Sequence, residues 1–513
     1  MNIHTVKYNR GYYMHTNLLT SCKGYRYENG DVAEIDDAVV SEEVITLYLN
    51  GAEHLKIVAS NEHLTEFGAG FFIASGVAEK ILSVRVQGTN IFVDAVVLDA
   101  SVEKTERCVN EGGIITPDEI FSLREALNAE AWRKTGGLHC AALWYNHSCA
   151  FVASDIGRHN AVDKVIGWMV LQGLPSTHCA IGCTGRQPAG MVAKAVNANI
   201  PTIVSRAAVT LKGAELANSS GVTLIGFVRE GRFTVYSHPE RVAGLNPKDG
   251  EPKPAKNCGT LASPLRGLRY RDDAAVPVED AAVAEDIVTL YLNGSEFIKT
   301  VASLEHLPEF AVGFFVDAGL VCSASDIRSV IVEGSSVYVD AVCTVCVAGE
   351  MESSGGFAPH KPRGHAEAGG SITDEEIFII REAINAEVWD ATGGLHCAVL
   401  FHDHQVVFLA SDIGRHNAVD KVIGYMILHN IPPTECAIGS TGRQPAGMVT
   451  KAANAGIPII VSRAAATEKG IRTAQTFGVT LICFVRPPRF TIYTHPERVV
   501  VKSALPINSF TGN

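Results

Sequence analysis

The 513-residue chain has no apolar run approaching the ~18 residues a membrane helix needs, so no membrane role is expected. Its start, "MNIHTVKYNRGYYMHTNLLT", lacks the continuous apolar segment of a signal peptide. It also lacks a basic excess: 43 Lys and Arg face 55 Asp and Glu, a net charge of −12. Nucleic-acid binding through counterion release needs a basic surface and is excluded on that ground. The thirteen cysteines are odd in number and follow no small-domain disulfide spacing. Without an export signal they read as reduced thiols, and a cytoplasmic location is expected. No Pro-Cys-x-x-Cys occurs, and Ala141 follows Cys140 where a zinc deaminase would need His-x-Glu, which excludes zinc-dependent deamination. What remains, 47% hydrophobic and 19% charged residues, is the composition of a core-forming globular protein.

The chain is written twice. "ASDIGRHNAVDKVIG" begins at Ala153 and again at Ala410, and "TGRQPAGMV" at Thr184 and Thr441, both 257 positions apart. "TLYLNG" begins at Thr46 and Thr289, only 243 apart, so the second copy carries 14 extra residues, placed in the flexible-looking "SSGGFAPHKPRGHAEAGG". A period this long means two whole domains, read as residues 35–242 and 283–499. Residues 243–282, rich in Pro, Gly and charge, read as a linker. Alternating strand patterns, a helix announced by the Thr116–Glu119 capping box and Pro117, and later strand–helix alternation predict an α/β sheet with helices on both faces in each copy.

Two turns stand out in each copy. In "CAIGCTGRQPAGMVAKA" an apolar strand meets a helix starting near Pro188, with Arg186 beside free helical N–H groups. That is an anion cradle at the carboxyl end of a strand, or a well-capped helix whose Arg pairs with a carboxylate. In "SDIGRHNAVDKVIG" Ser154 or Asp155 can cap a helix near Gly157, while Arg158 and His159 sit in its first turn, where cations oppose the dipole unless an anion lies close. A buried His159–Asp163 pair that only orders the fold is the alternative. Arg443, Arg415 and His416 repeat these positions, and His139 and His396 open a strand in each copy.

Among the cysteines, Cys108 lies in the polar "EKTERCVNEGG", where Lys104 and Arg107 can stabilise a thiolate. Cys343 and Cys346 form a Cys-x-x-Cys pair, but on an alternating strand they point to opposite faces unless the strand ends at about Cys343. Their zinc-finger-like spacing to His360 and His365 runs through Gly355, Gly356, Pro359 and Pro362, where a finger needs a helix.

Taken in order, "TGGLHCAAL", "SDIGRHNAVDKVIG", "TGRQPAGMVAKA", "IVSRAAVT" and "GVTLIGFVREGRFTVYSHPERV" resemble the formate dehydrogenase accessory sulfurtransferase (FdhD) family, over nearly all of both copies. The resemblance implies two tandem cytidine-deaminase-like α/β/α domains without zinc ligands, forming inside one chain the dimer usual in the family. It implies a sulfurtransferase that passes persulfide sulfur from a cysteine desulfurase to molybdenum bis(molybdopterin guanine dinucleotide), for formate dehydrogenase or a related molybdenum or tungsten oxidoreductase. A non-catalytic cofactor carrier or insertion chaperone is the alternative. The family's cofactor stretch matches Phe227, Val228, Arg229, Glu230, Gly231 and Arg232, and in the second copy Phe484, Val485, Arg486, Pro487, Pro488 and Arg489, with Pro488 replacing the glycine. With these, Arg186, Arg443, Arg158, His159, Arg415, His416, His139 and His396 are the expected cofactor contacts. Cys108 falls at the family's persulfide position, and Cys343 and Cys346 are the alternative carriers. Arg186, Arg229 and Arg232 are expected to share one pocket, with Cys108 near a pocket.

Overall fold

A computed structural model describes residues 18–98, 108–109, 111–128, 135–245, 247–248, 250–343, 349–351, 357–359, 366, 369–384 and 391–501. The first copy opens with the hairpin β1 (Leu19–Glu28) and β2 (Asp31–Val40). Then come β3 (Glu43–Leu49), β4 (Ala52–Ala59), α1 (Leu64–Ala74), β5 (Ala78–Gln87) and β6 (Asn90–Val97). The central part is α2 (Pro117–Ala126), β7 (His139–Tyr145), β8 (Ser148–Asp155), α3 (Arg158–Leu171) and β9 (Cys179–Cys183). It closes with α4 (Ala189–Asn197), β10 (Thr202–Ser205), α5 (Leu211–Ser219), β11 (Thr223–Arg229) and β12 (Arg232–Ser237).

The second copy repeats the plan with β13 (Ala262–Arg271), β14 (Ala274–Val283), β15 (Asp286–Leu292), β16 (Ser295–Ala302), α6 (Leu307–Asp317), β17 (Ile327–Glu333) and β18 (Ser336–Ala341). After the short β19 (Gly349–Met351), β20 (Phe357–Pro359) and β21 (Ile372–Thr373) follow α7 (Asp374–Ala383), β22 (His396–His402), β23 (Gln405–Asp412) and α8 (Arg415–Leu428). The last elements are β24 (Cys436–Ser440), α9 (Ala446–Asn454), β25 (Ile459–Ser462), α10 (Glu468–Thr476), β26 (Thr480–Arg486), β27 (Arg489–Ile492) and β28 (Val499–Val500).

Local chemistry sets the boundaries. Thr116 caps α2 and Glu119 reaches back to its N–H, the capping box the sequence announces. Asp155 accepts the N–H of Gly157 just before α3, and Pro188 stands directly before α4. Where α1 crosses α3 there is no room for a side chain: a Cβ on Gly70 would lie 1.7 Å from the Asp163 carbonyl oxygen, and one on Gly167 1.8 Å from that of Glu66. Glycine at both positions lets the two backbones touch.

The result is a mixed α/β protein with two similar halves. Each has an eight-stranded sheet, ordered β2-β1-β27-β26-β25-β24-β22-β23 in one and β14-β13-β12-β11-β10-β9-β7-β8 in the other. The hairpin that opens each copy therefore lies in the sheet of the other copy. Tyr25–Glu28 of β1 pair antiparallel with Arg489–Ile492 of β27, and Leu268–Arg271 of β13 pair with Arg232–Val235 of β12. The stretch read as a linker, 243–282, thus carries most of a ten-plus-ten-residue hairpin, and residue 35 falls inside β2 rather than at a domain start. Composition misled here because Pro277 sits on β14, an edge strand, where a missing N–H costs no ladder bond. Within the second copy's extra loop, Phe357–Pro359 form β20, which pairs with β19, and Met351 of β19 pairs with Ile57 of β4 in the first copy.

Apolar packing seals each docked hairpin. Tyr27 of β1 stacks on Phe490 with ring centroids 4.5 Å apart, and Tyr270 of β13 stacks on Phe233 at 4.7 Å. The helices α3 and α8 each lay an apolar face on their sheet, through Val162, Val165 and Ile166 in one and Val419, Val422 and Ile423 in the other.

Candidate functional site

The repeated motifs converge on the seam between the copies, and their contacts are reciprocal, as pseudo-two-fold symmetry requires. The Arg186 guanidinium donates to the Gly394 carbonyl of the second copy, and Arg443 donates to the Gly137 carbonyl of the first at 2.6 Å. The start of α4 receives an anion from within the chain: the Ala189 N–H donates to the Glu285 carboxylate at 3.1 Å, and the Thr210 hydroxyl donates to the same oxygen at 2.9 Å. Glu42 does the same for Ala446 at the start of α9, at 3.0 Å. Each GRQP cradle is thus occupied by a carboxylate from just beyond a swapped hairpin, which satisfies the helix dipole without a ligand. Burial pushes the Glu285 carboxyl above its usual value, against the pull of the Ala189 N–H, the Thr210 hydroxyl, Arg158 and Arg186.

Arg158, Arg186, Arg415 and Arg443 gather around His139 and His396 at this seam. Burial, then Arg443, Arg158, Arg415 and Arg186, hold His139 well below the ordinary histidine range, and His396 feels the same four guanidiniums. Each ring leans on a threonine: His139 Nδ1 is 3.3 Å from the Thr184 hydroxyl and His396 Nδ1 is 3.2 Å from that of Thr441. Both imidazoles are therefore neutral at neutral pH. Arg158 and Arg186 are themselves lowered, by burial and by neighbouring guanidiniums. His159 is lowered by burial and by Arg158, Lys194 and Arg186. His416 is buried.

The His159–Asp163 pair, the alternative reading of that motif, does not form. Asp163 accepts Lys194 Nζ at 2.6 Å instead, because α4 brings a full charge against α3. The rest of the motif is a buried network: Asp155 accepts Lys164 Nζ at 2.7 Å, the Ser60 hydroxyl at 2.8 Å, Asn160 and the Gly157 N–H. Asp412, Lys421 and Asn417 repeat it. Most of the polar residues of "SDIGRHNAVDK" thus hold the fold together.

The arginines after the penultimate strands form a separate group. A bulge breaks the ladder between Gly226 and Arg229 and between Cys483 and Arg486, and Phe227 and Phe484 adopt φ of 52° and 54°. A bulky residue at positive φ is strained, and such strain collects at functional sites. Here it turns each ring across the seam: Phe227 toward Gly393 and Phe484 toward Gly136. A cavity of about 250 Å³ opens there, lined by Arg26, Asp37, Thr135, Gly136, Phe484, Arg486, Arg489, Phe490 and Thr491. Arg26 and Asp37 come from the swapped hairpin, Thr135 and Gly136 from the first copy, and the rest from the second. The turn Thr135–Gly137 thus borders the cavity on one side and takes Arg443 from the guanidinium cluster on the other.

Arg186 and the Arg229–Arg232 pair, expected in one pocket, have different charged neighbours. Those of Arg186 are Arg158, Arg415, Glu285 and Asp412, whereas those of Arg229 are Arg206, Arg232 and Arg124. Sequence reading also missed Arg26, because its partners β26 and β27 lie more than four hundred positions away.

Cys108 is exposed, its thiol 3.8 Å from the Ser219 carbonyl at the end of α5. Ser219 precedes β11 and the Phe227–Arg232 stretch closes it. Cys108 thus lies at the start of β11, and Phe227 is four residues, about 13 Å, along that strand. Lys104, Arg107 and Cys346 lie outside the described residues. Cys343 is exposed just past the end of β18 at Ala341, with the Asn293 amide donating to its sulfur at 3.4 Å. The strand does end early, the condition under which the pair could share a face. Burial raises Cys183 to about 11 and Cys179 and Cys436 to about 12, whereas among the described residues Cys108, Cys322 and Cys343 are exposed.

Among the described residues no helix is long and apolar enough to cross a membrane. The FdhD/NarQ family matches residues 95–243 and 283–500. The Sulfur carrier protein FdhD of Bacillus subtilis (strain 168) is 32% identical over 248 residues, covering 45% of this chain and 95% of its own length. That of Methanothermobacter thermautotrophicus is 36% identical over 243 residues, with the same two shares. A crystal structure described as a candidate formate dehydrogenase accessory protein from Desulfotalea psychrophila matches over its whole length and 47% of this chain, at 27% identity and a TM-score of 0.42. Each relative has the length of one copy, and the family pattern is met twice in order: this chain belongs to the FdhD/NarQ family, as a tandem duplication.

Proposed function

We propose that the chain is a cytoplasmic sulfurtransferase that matures a formate dehydrogenase, or a related molybdenum or tungsten oxidoreductase. It takes sulfur from a cysteine desulfurase and delivers it to molybdenum bis(molybdopterin guanine dinucleotide), which it handles as substrate. The observation that carries this reading is the cavity at Phe484–Arg489, where three guanidiniums and a strained aromatic ring meet at the seam. Guanidiniums suit the pyrophosphate of a dinucleotide, and the Phe484 ring suits its base. The relatives named sulfur carriers support the sulfur chemistry. The central strand order β8-β7-β9-β10-β11, repeated in the second copy, supports the cytidine-deaminase likeness of the sheets.

Cys108 is the sulfur carrier in this reading. Its thiolate attacks the outer sulfur of the desulfurase persulfide; the old S–S bond breaks, the desulfurase thiolate leaves, and Cys108 holds the new persulfide. Release of that sulfur as sulfide takes two electrons, which a cellular dithiol supplies by becoming a disulfide. Incubation with a cysteine desulfurase and cysteine should add 32 Da, about one sulfur atom, to the Cys108 peptide in mass spectrometry. Cys108→Ala should abolish client maturation while Cys343→Ala with Cys346→Ala leaves most of it. The reverse result moves the chemistry to the second copy. No effect from either set leaves a cofactor carrier without sulfur chemistry.

A further inference from the structure

The cavity at Phe484–Arg489 and the matching place in the first copy differ in what their arginines are doing. In the first copy the hairpin arginine is Arg269, and it is committed. Its guanidinium grips both oxygens of Asp280 at 2.7 Å and donates to the Thr234 hydroxyl at 3.2 Å. Arg229 is committed as well, folded back onto the Arg206 and Val228 carbonyls. Phe227 closes toward Gly393, with a ring carbon 3.3 Å from where a Cβ would stand; the matching distance from Phe484 to Gly136 is 4.0 Å. The second-copy pocket holds the equivalent groups in another state. Asp280 and its counterpart Asp37 each accept a tyrosine hydroxyl, from Tyr236 and Tyr493, but Arg26, unlike Arg269, has no ion pair among the described residues. Arg26, Arg486 and Arg489 all line the 250 Å³ cavity.

We propose that the chain binds one nucleoside diphosphate group, not two. It enters the second-copy pocket, where Arg26 of the swapped hairpin grips the phosphates with Arg486 and Arg489, and the first-copy pocket is held shut by its own Arg269–Asp280 pair. The physical argument is competition. A phosphate reaching Arg269 must displace a bidentate carboxylate, whereas one reaching Arg26 displaces water. Asp37 opposes the ligand electrostatically; its bond to Tyr493 is matched by Tyr236–Asp280, so the free arginine makes the difference. Duplication has thus freed two positions that a homodimer must keep identical, and the second copy kept the site despite losing the glycine at Pro488.

This inference rests on the nucleotide-handling reading above, and calorimetric titration of the full chain with GDP separates the two. One site per chain is expected. Arg26→Ala and Arg489→Gln should each weaken it tenfold or more, and Arg269→Ala should change it less than twofold. Thermal melting checks that each variant folds, and the two variants on different strands guard against one failing. Inorganic pyrophosphate should compete, since the phosphates carry the contact. Two equal sites, or a single site lost in Arg232→Ala and untouched by Arg26→Ala and Arg489→Gln, would overturn the asymmetry and leave the function standing. No GDP binding at all would overturn both.

Discussion

Histidines 139 and 396 show how the seam reads as chemistry at the scale of a residue. Each is held neutral by burial and by four guanidiniums. The unfolded chain takes up a proton near the ordinary histidine value of about 6.5, and the folded chain refuses it. The unfolded state then binds more protons, so stability is full above that value and declines as pH falls below it. The slope is about 1.4 kcal/mol per pH unit for each such residue, until the folded value is reached. Urea midpoints at pH 7.5 and pH 5.5 should therefore differ, and His139→Gln with His396→Gln should shrink that difference by several tenths of a molar or more. An unchanged difference would place the pH sensitivity elsewhere. Glu285 works in the opposite sense, since its carboxyl is raised on folding, which is why the comparison between variants decides the matter rather than the wild-type slope.

Among the elements, the helices that carry the repeated motifs were the most legible, because their signals are local. Thr116 and Glu119 announce α2, and Pro188 announces α4. What fills the cradle of α4 was not legible: Glu285 lies 96 positions beyond Ala189 and belongs to the other copy, so no spacing rule reaches it. The hairpins were hidden for a related reason. Charged residues such as Arg266, Arg269, Arg271, Glu279 and Asp280, with Pro264 and Pro277, interrupt the strand pattern, and β13–β14 looks like a linker unless its partner β12 is known. A chain lacking residues 18–40 tests what the first hairpin contributes. The edge of β27 would be uncovered and Arg26 removed with it, and an open edge invites pairing with other chains. Light scattering should find association in the truncated chain at concentrations where the intact chain is monodisperse. A monodisperse truncated chain would mean that the hairpin is dispensable decoration.

For the whole molecule, duplication was plain from the repeated words, and the pairing of the copies was implied by the family resemblance; the crossing of the hairpins was not legible. That crossing predicts how the halves behave when cut. A protease site inserted at residues 250–256, where the chain runs exposed between β12 and β13, would separate the copies covalently. The β13–β14 hairpin would still lie in the first copy's sheet and the β1–β2 hairpin in the second's. Lys212–Asp286 and Lys469–Glu43 would still bridge the seam. The nicked protein should elute at the size of the intact chain and come apart only in denaturant. Dissociation under native conditions would show that the covalent tether, rather than the exchange of hairpins, holds the halves together.

The pairing of Tyr25–Glu28 with Arg489–Ile492 has one more consequence. During synthesis the first half can finish its sheet almost at once, since β13 follows β12 in both sequence and space. The second half cannot: its sheet needs a hairpin made first of all and left waiting for some 460 residues. Chain order is linear, but strand order is a ring, and the ring closes only when β27 returns to β1. That late strand is also a wall of the cavity, so the basic pocket comes into being only once β27 has been made. A product that stops before β27 carries Arg26 but lacks Arg489, and the place where they meet is missing.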